Sequence, residues 1–453
     1  MGALTDAPWR LLVLDFITFL ALGGGGVVIP LALAKHCQSS DDNCAAKAAQ
    51  RLVQYGLASS LPQLLAAPLV GRACDRLGPK VPLVAGGVGF VASLALAAAW
   101  AFYGWPFYAL LLSAAAQGLC GGMIGFLAAS FAYATAAAGK APEATYARLA
   151  GEAAEDDAPE QRTGGFRGIA VALTLSICVA PLSGGAAAQH FGAFPTLAGA
   201  AGIACLALLW TIVALPAVAP SKADAKADVL RGLHVVASPP TRWLACAWGL
   251  LATNNIGVGN IATQYLARGR SSTGVGAYIS LLGAAAALGT LVIEPCVRRV
   301  WKGDEFSLNL FLTRVGCLGA AAISVGFALL PVSNPGTYGI ACLASVTAAS
   351  MPASRALLVA TAPKEDGGAA LGALGALESA SGLVAPVWLG YLYAYGARHS
   401  RAADAFYGTV ATASLAFVLL VLLPPEPRHE YERRISMPPV ATPVSEDGDG
   451  TLV

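Results

Sequence analysis

Four ionisable residues, Asp15, Arg314, Arg355 and Glu378, stand inside long apolar stretches of this sequence. Placing such a group within a lipid-buried helix costs ~2.5–3.5 kcal/mol on insertion scales, so each must find a cavity or a partner. Glu378 lies about ten residues into its stretch, too deep for a short side chain to reach water. Neutral when buried, it is a proton carrier or a protonated acid bonded to a neighbouring helix. Asp15 is the second candidate for proton coupling, or the partner of one of the arginines. Arg355 and Arg314 stand ~9–11 Å from the ends of their stretches and can each snorkel toward the interface. An arginine lining a cavity would instead bind a carboxylate or phosphate through paired hydrogen bonds. Asn254, Asn255, Gln63, Gln117 and Gln264 offer neutral polar groups that bind a solute or join helices. Glu294 is expected at the interface. GxSxG, HExxH, GxxxxGK[ST] and CxxC are all absent, and the five histidines form no ligand cluster. No catalytic constellation, metal or cofactor is expected.

The elements that position these residues follow from composition. Of 453 residues, 56% are hydrophobic and 12% charged, about half the charge of an ordinary globular domain, and mean hydropathy is +0.64. So few charges cannot cover a water-soluble fold of this size, and a net charge of +2 makes no field for nucleic acid. Twelve stretches are long enough to cross a ~30 Å hydrocarbon core, at about 9–34, 52–72, 81–103, 106–136, 164–188, 193–217, 242–267, 274–294, 307–331, 336–361, 368–393 and 402–424. Runs such as Leu110–Ala116 do not alternate as barrel strands would. The expected fold is an all-α membrane protein.

Nineteen Lys and Arg fall in segments on one side and seven on the other, which puts both termini in the cytoplasm. Trp9, Trp105, Trp243 and Trp301 stand near helix ends, where an aromatic belt forms. Ala32-Leu33-Ala34 resembles a signal-cleavage site, but its apolar run exceeds the 7–15 residues of a signal core, so a retained helix is expected. Cys37 and Cys44 share the first outer loop, as a disulfide or as free thiols. Pro220, Pro239 and Pro240 bracket a polar break. It divides the chain into a six-helix bundle at 1–217, a cytoplasmic linker at 218–241 and a second bundle at 242–424. Residues 425–453 read as a disordered cytoplasmic tail. The acidic run Glu152–Glu160 reads as a solvated face.

Between the second and third stretches the chain reads GRACDRLGPK, Gly71 to Lys80. This resembles the loop signature GxxxDRxGRR of the major facilitator superfamily, matched at Gly71, Asp75, Arg76, Gly78 and Lys80, with Pro79 in place of a basic residue. Gly71 suits a close helix approach and Gly78 a tight turn. Asp75 suits a helix N-terminus, and Arg76 and Lys80 an anionic surface. The resemblance implies twelve helices in two pseudo-symmetric bundles, with this loop latching the inner side. Ser176–Gly185, SICVAPLSGG, is similar to the GxxxGPxxGG pattern of antiporters in that superfamily. Pro181, Gly184 and Gly185 are kept, while Ser176 and Ala180 replace glycines, and a bend or packing seam is expected there.

More narrowly, the Cys37/Cys44 loop, Gly118–Tyr133 and Arg355–Tyr393 resemble the proton-coupled folate transporter-like solute carriers. That resemblance implies a transport role for Arg355. The acid usual after the fourth helix's aromatic is absent at Tyr133–Ala136. The expectation is a monomeric secondary transporter, proton-coupled, moving a small organic solute by alternating access, an anion if Arg355 lines the cavity. A non-transporting sensor of the same fold and a drug/proton antiporter are the alternatives. Neither a glycosylation site nor a retention signal distinguishes plasma membrane from organelle.

Overall fold

Lipid-facing leucine and valine runs, broken by glycine at the turns, set the helix pattern of this chain. The computed structural model describes residues 7–35, 42–137, 159–218, 236–238, 241–361 and 367–423, and every regular element among them is helical. In chain order these are α1 (Ala7–Lys35), α2 (Asp42–Leu77), α3 (Lys80–Tyr103), a two-piece α4 (Phe107–Leu119 and Gly122–Ala137), α5 (Pro159–His190) and α6 (Ala193–Ala214). The second half holds α7 (Thr241–Ala267), α8 (Ser272–Leu288, a π turn at Gly289–Ile293, then Glu294–Val300) and α9 (Glu305–Leu329). Then come α10 in three pieces (Gly336–Cys342, Ala344–Thr347 and Ser350–Thr361), α11 (Gly367–Arg398) and α12 (Ala405–Val421).

Ten traverses are long and apolar enough to cross a membrane. The other two, α2 and α7, have 36 and 27 residues, more than the ~20 that a ~30 Å core requires, but carry more polar positions. Outward-facing Leu65, Leu112, Leu206, Val213, Leu329 and Leu415 are exposed, as a lipid-facing surface demands. Left-handed glycines make the sharp reversals. Gly78 (φ 82°) turns α2 into α3, and Gly121 (φ 91°) with Gly122 (φ 57°) breaks α4.

Two expectations change. The second helix begins at Asp42 rather than near residue 52, because Ala46, Ala49 and Val53 form a buried stripe within an otherwise polar extension. Gly71 is exposed with open space around it, so no close helix approach occurs there.

Within each half the helices pack side by side. Phe126 meets Phe19 and Phe90 edge-on in the first half. Phe327 stacks on Phe406 at 4.8 Å in the second, beside Tyr265 and Tyr278. Across the halves, α5 packs along α8 and α2 along α11. Both seams rest on small residues. Any side chain on Gly276 would strike the Pro181 carbonyl, and one on Gly185 would strike that of Ser272. Gly390 lies against Val53, and Gly56 against Pro386. Polar bonds accompany them. The Leu182 amide donates to Ser280 Oγ (3.0 Å), the Thr273 amide to Gln189 Oε1 (3.2 Å), and Ser60 Oγ to the Gly382 carbonyl (2.9 Å). The α5–α8 contacts and those of Val53, Gly56, Pro386 and Gly390 lie in the halves of these helices remote from the Gly71–Lys80 turn, and the Ser60–Gly382 bond lies at mid-helix. The molecule is therefore closed at that remote end.

Gly276→Leu should wedge this seam open. With Ser60→Cys as the single reactive thiol, labelling by a bulky impermeant maleimide should rise ~fivefold or more as the closed population falls. An unchanged rate would show that the glycine contact does not hold the end shut.

Candidate functional site

Along α11, Gly390, Pro386, Gly382 and Glu378 recur every four residues, a row that drifts ~40° around the helix at each step. The first three meet α2 through Val53, Gly56 and Ser60. Glu378 is one turn beyond the last of those contacts. Arg355 of α10 meets it there. Its Nη2 donates to Glu378 Oε1 at 2.8 Å and to Oε2 at 3.1 Å, and Trp248 Nε1 of α7 donates to Oε1 at 3.1 Å. Only 12% of the Glu378 side chain is exposed, against 31% for Arg355, so the guanidinium is the more open partner. A charged donor and a charged acceptor at this distance strengthen each other in a partly dry site. Local sequence explains the placement. Ala353 and Leu357 are fully buried in the last piece of α10, which packs on α9 and fixes the helix from which Arg355 projects. One turn along α11, Ser381 Oγ donates to the Gly249 carbonyl at 3.1 Å and ties α11 to α7 beside Trp248.

The two asparagines separate. Asn254 is buried and donates to the Thr409 carbonyl (2.6 Å) and Thr412 Oγ1 (3.4 Å), joining α7 to α12, whereas Asn255 is exposed. Gln63, Gln117 and Gln264 are half-buried, and Gln63 lies against Gly122 at the α4 break.

Asp15 pairs with neither arginine. It is fully buried in α1, accepts a 2.8 Å bond from Ser130 Oγ of α4, and its Oδ2 has no partner among the described residues. Arg355 is engaged by Glu378, and Arg314 sends Nε and Nη2 to the Leu420 carbonyl at 3.2 and 2.7 Å. That bond satisfies the exposed C-terminal end of α12. The first half does the same for α6. Lys80 donates to the Ile212 and Leu215 carbonyls, Arg10 to Ala214 (3.0 Å) and Tyr133 to Pro216 (3.0 Å). Lys80 of the loop signature is thus bound within its own half. Arg76 is exposed, and the Asp75 side chain lies outside the described residues. Glu294 lies toward the C-terminal end of α8. It is buried and pairs with Arg298 at 3.0 Å, which donates to Asn309 Oδ1.

In the α5 motif Gly184 lies against the Gly24 backbone of α1, and Pro181 and Gly185 form the α8 seam. The Cys37 and Cys44 side chains lie outside the described residues. Sequence reasoning missed Trp248, Ser381 and Ser130. A buried indole usually finds an acceptor for its N–H, and that is the one signal that could have marked Trp248.

A family model for the Major Facilitator Superfamily matches residues 11–350, about three quarters of the chain. The chain belongs to the Major Facilitator Superfamily. This superfamily member is accordingly a multi-pass membrane transporter. Its fold is similar to that of the human organic anion transporter MFSD10 (TETRAN), at 21% identity and TM-score 0.59, covering 91% of this chain and 99% of that one. It is similar also to the nucleoside transporter NupG, at 12% identity and TM-score 0.64, covering 92% and 98%. A bacterial homologue of the iron transporter ferroportin in its inward-facing state matches at 17% identity and TM-score 0.60, covering 92% and 98%. No curated protein sequence matches the chain.

The split between the asparagines gives a direct test. Asn254→Ala strands the α7–α12 contact and should cost ~1–3 kcal/mol of stability, read as a lower unfolding temperature. Asn255→Ala should leave that temperature unchanged, and equal losses would contradict the assignment.

Proposed function

We propose that this protein is a proton-coupled secondary transporter of a small organic solute, working as a monomer by alternating access between bundles at 1–217 and 242–424. Arg355 binds the solute and Glu378 handles the proton. One observation carries this reading. The Arg355–Glu378 ion pair lies one turn of α11 beyond the Ser60–Gly382 bond that joins the two halves. A charge at that depth carries a cost that its partners must offset. With the Gly71–Lys80 turn in the cytoplasm, the closed end is the outer one, and the site opens inward. The resemblance to the folate transporter-like carriers supports the role of Arg355. The similarity to a structure titled as an organic anion transporter supports an anionic solute. Asn255, exposed two turns along α7 from Trp248, is the neutral contact for the solute.

Full-length protein in liposomes loaded with a pH-sensitive dye tests this. Candidate nucleosides and organic anions are added outside, together with an inwardly directed pH gradient. A transported solute should acidify the lumen and accumulate. Glu378→Gln should abolish pH-driven accumulation while solute exchange persists. Saturable binding without flux of either species would overturn the transporter reading in favour of a sensor.

A further inference from the structure

We propose that Ser60 and Ser280 are matched positioning residues of the transport cycle, each completing the backbone of a proline-broken helix in the opposite half while the outer end is closed. The two bonds form as the seams close and release as they part. This rests on the alternating-access reading and deepens it by naming the groups that set the balance between a closed and an open outer end.

A proline inside a helix has no N–H for the carbonyl four residues before it, and its ring pushes the adjoining turn out of line. Within a membrane such a helix survives where a neighbouring side chain or water takes up the freed backbone groups. Pro386 of α11 deprives the Gly382 carbonyl of its helical donor, and Ser60 Oγ of α2 donates to that carbonyl at 2.9 Å. Pro181 of α5 directly precedes Leu182, whose amide donates to Ser280 Oγ of α8 at 3.0 Å. A hydroxyl serves as donor in the one case and as acceptor in the other. Ser324 and Ser379, by contrast, bond back to carbonyls of their own helices.

The two sites repeat one pattern. α2 and α8 are the second helices of their halves, and each carries a glycine and a serine four residues apart, Gly56 with Ser60 and Gly276 with Ser280. α5 and α11 are the fifth, and each carries a proline and a glycine four residues apart, Pro181 with Gly185 and Pro386 with Gly390. Glycine faces proline in both seams. A side chain on Gly56 would meet the Pro386 ring, and one on Gly276 would strike the Pro181 carbonyl. One turn further along α2 and α8 stands the serine that bonds to the kinked backbone. A third bond across the halves, from the Thr273 amide to Gln189 Oε1, is exposed, and water replaces it at little cost. The Ser60 and Ser280 bonds are part-buried. Once they part, the Gly382 carbonyl and the Leu182 amide depend on water entering from the outer side.

Hydrogen exchange read by mass spectrometry, on full-length protein in lipid nanodiscs, tests this. Ser60→Ala and Ser280→Ala should each speed exchange roughly three- to tenfold in the closed-end segments of α2, α5, α8 and α11 together, the bias that one buried hydrogen bond gives the closed form. Exchange in α3 and α9 should keep the wild-type rate. Pro386→Ala returns an N–H to the Gly382 carbonyl, so Ser60→Ala added to it should produce no further change, whereas Ser280→Ala added to it should still act. Ser280→Ala alone carries the test where Pro386→Ala fails to fold. A rise confined to the substituted seam, an equal effect of Ser60→Ala with and without Pro386, or a rise that extends to α3 and α9 would each overturn the proposal. Solute flux is measured on the same proteins in liposomes. Wild-type flux with exchange that ignores both serines would overturn the proposal and leave the transporter reading intact. Exchange coupled across both seams in a protein without flux would do the reverse.

Discussion

An apolar medium does not tolerate an uncompensated charge, and much of this molecule's interior is arranged around that fact. Arg355 is neutralised by Glu378 and Arg298 by Glu294. Arg314, Lys80 and Arg10 donate to the carbonyl ends of α12 and α6, where the helix dipole favours a cation. Asp15 has no cation among the described residues and relies on Ser130. Each of these bonds fastens a half to itself, and the Arg355–Glu378 pair lies one turn of α11 beyond the Ser60–Gly382 bond between the halves.

That distinction explains how a rigid pair of bundles can host a mobile charge. The seams α5–α8 and α2–α11 place Gly56, Gly185, Gly276, Gly283 and Gly390 at their contacts. Backbones that touch through glycine can separate without unthreading side chains, and the hydrogen bonds spanning the seams are neutral ones. Ionic bonds across the closed end would resist opening far more strongly. The strong electrostatic interaction lies instead one turn deeper, inside a single half, where it can exchange partners while the halves move.

The sequence shows the architecture well because lipid imposes a length and a composition on every span. Ten apolar traverses and two more polar ones match the twelve stretches to within a few residues, except at α2. There, Asp42–Arg51 looks polar in sum although Ala46 and Ala49, three residues apart, are fully buried. Glu378 was legible by depth and Arg355 by the family resemblance. Their partnership was not, since it depends on the helical phase of α10, which breaks twice before Ser350, relative to α11. The same blindness paired Asp15 with an arginine. Its actual donor, Ser130, is one of many serines with no distinguishing context. Lys80 read as a surface charge of a loop signature, and nothing in that motif says that the end of α6, some 130 residues on, lies within its reach.

The central claim is that Arg355 and Glu378 act as one charge-matched unit. A charge swap measures this most directly, comparing the thermal unfolding of Arg355→Glu, Glu378→Arg and the double variant against wild type. Each single change places two like charges together and should lower the unfolding temperature by several degrees, while the double variant should regain most of that loss through its coupling energy. A double variant no more stable than the sum of the two single losses would show that the residues do not act as a pair.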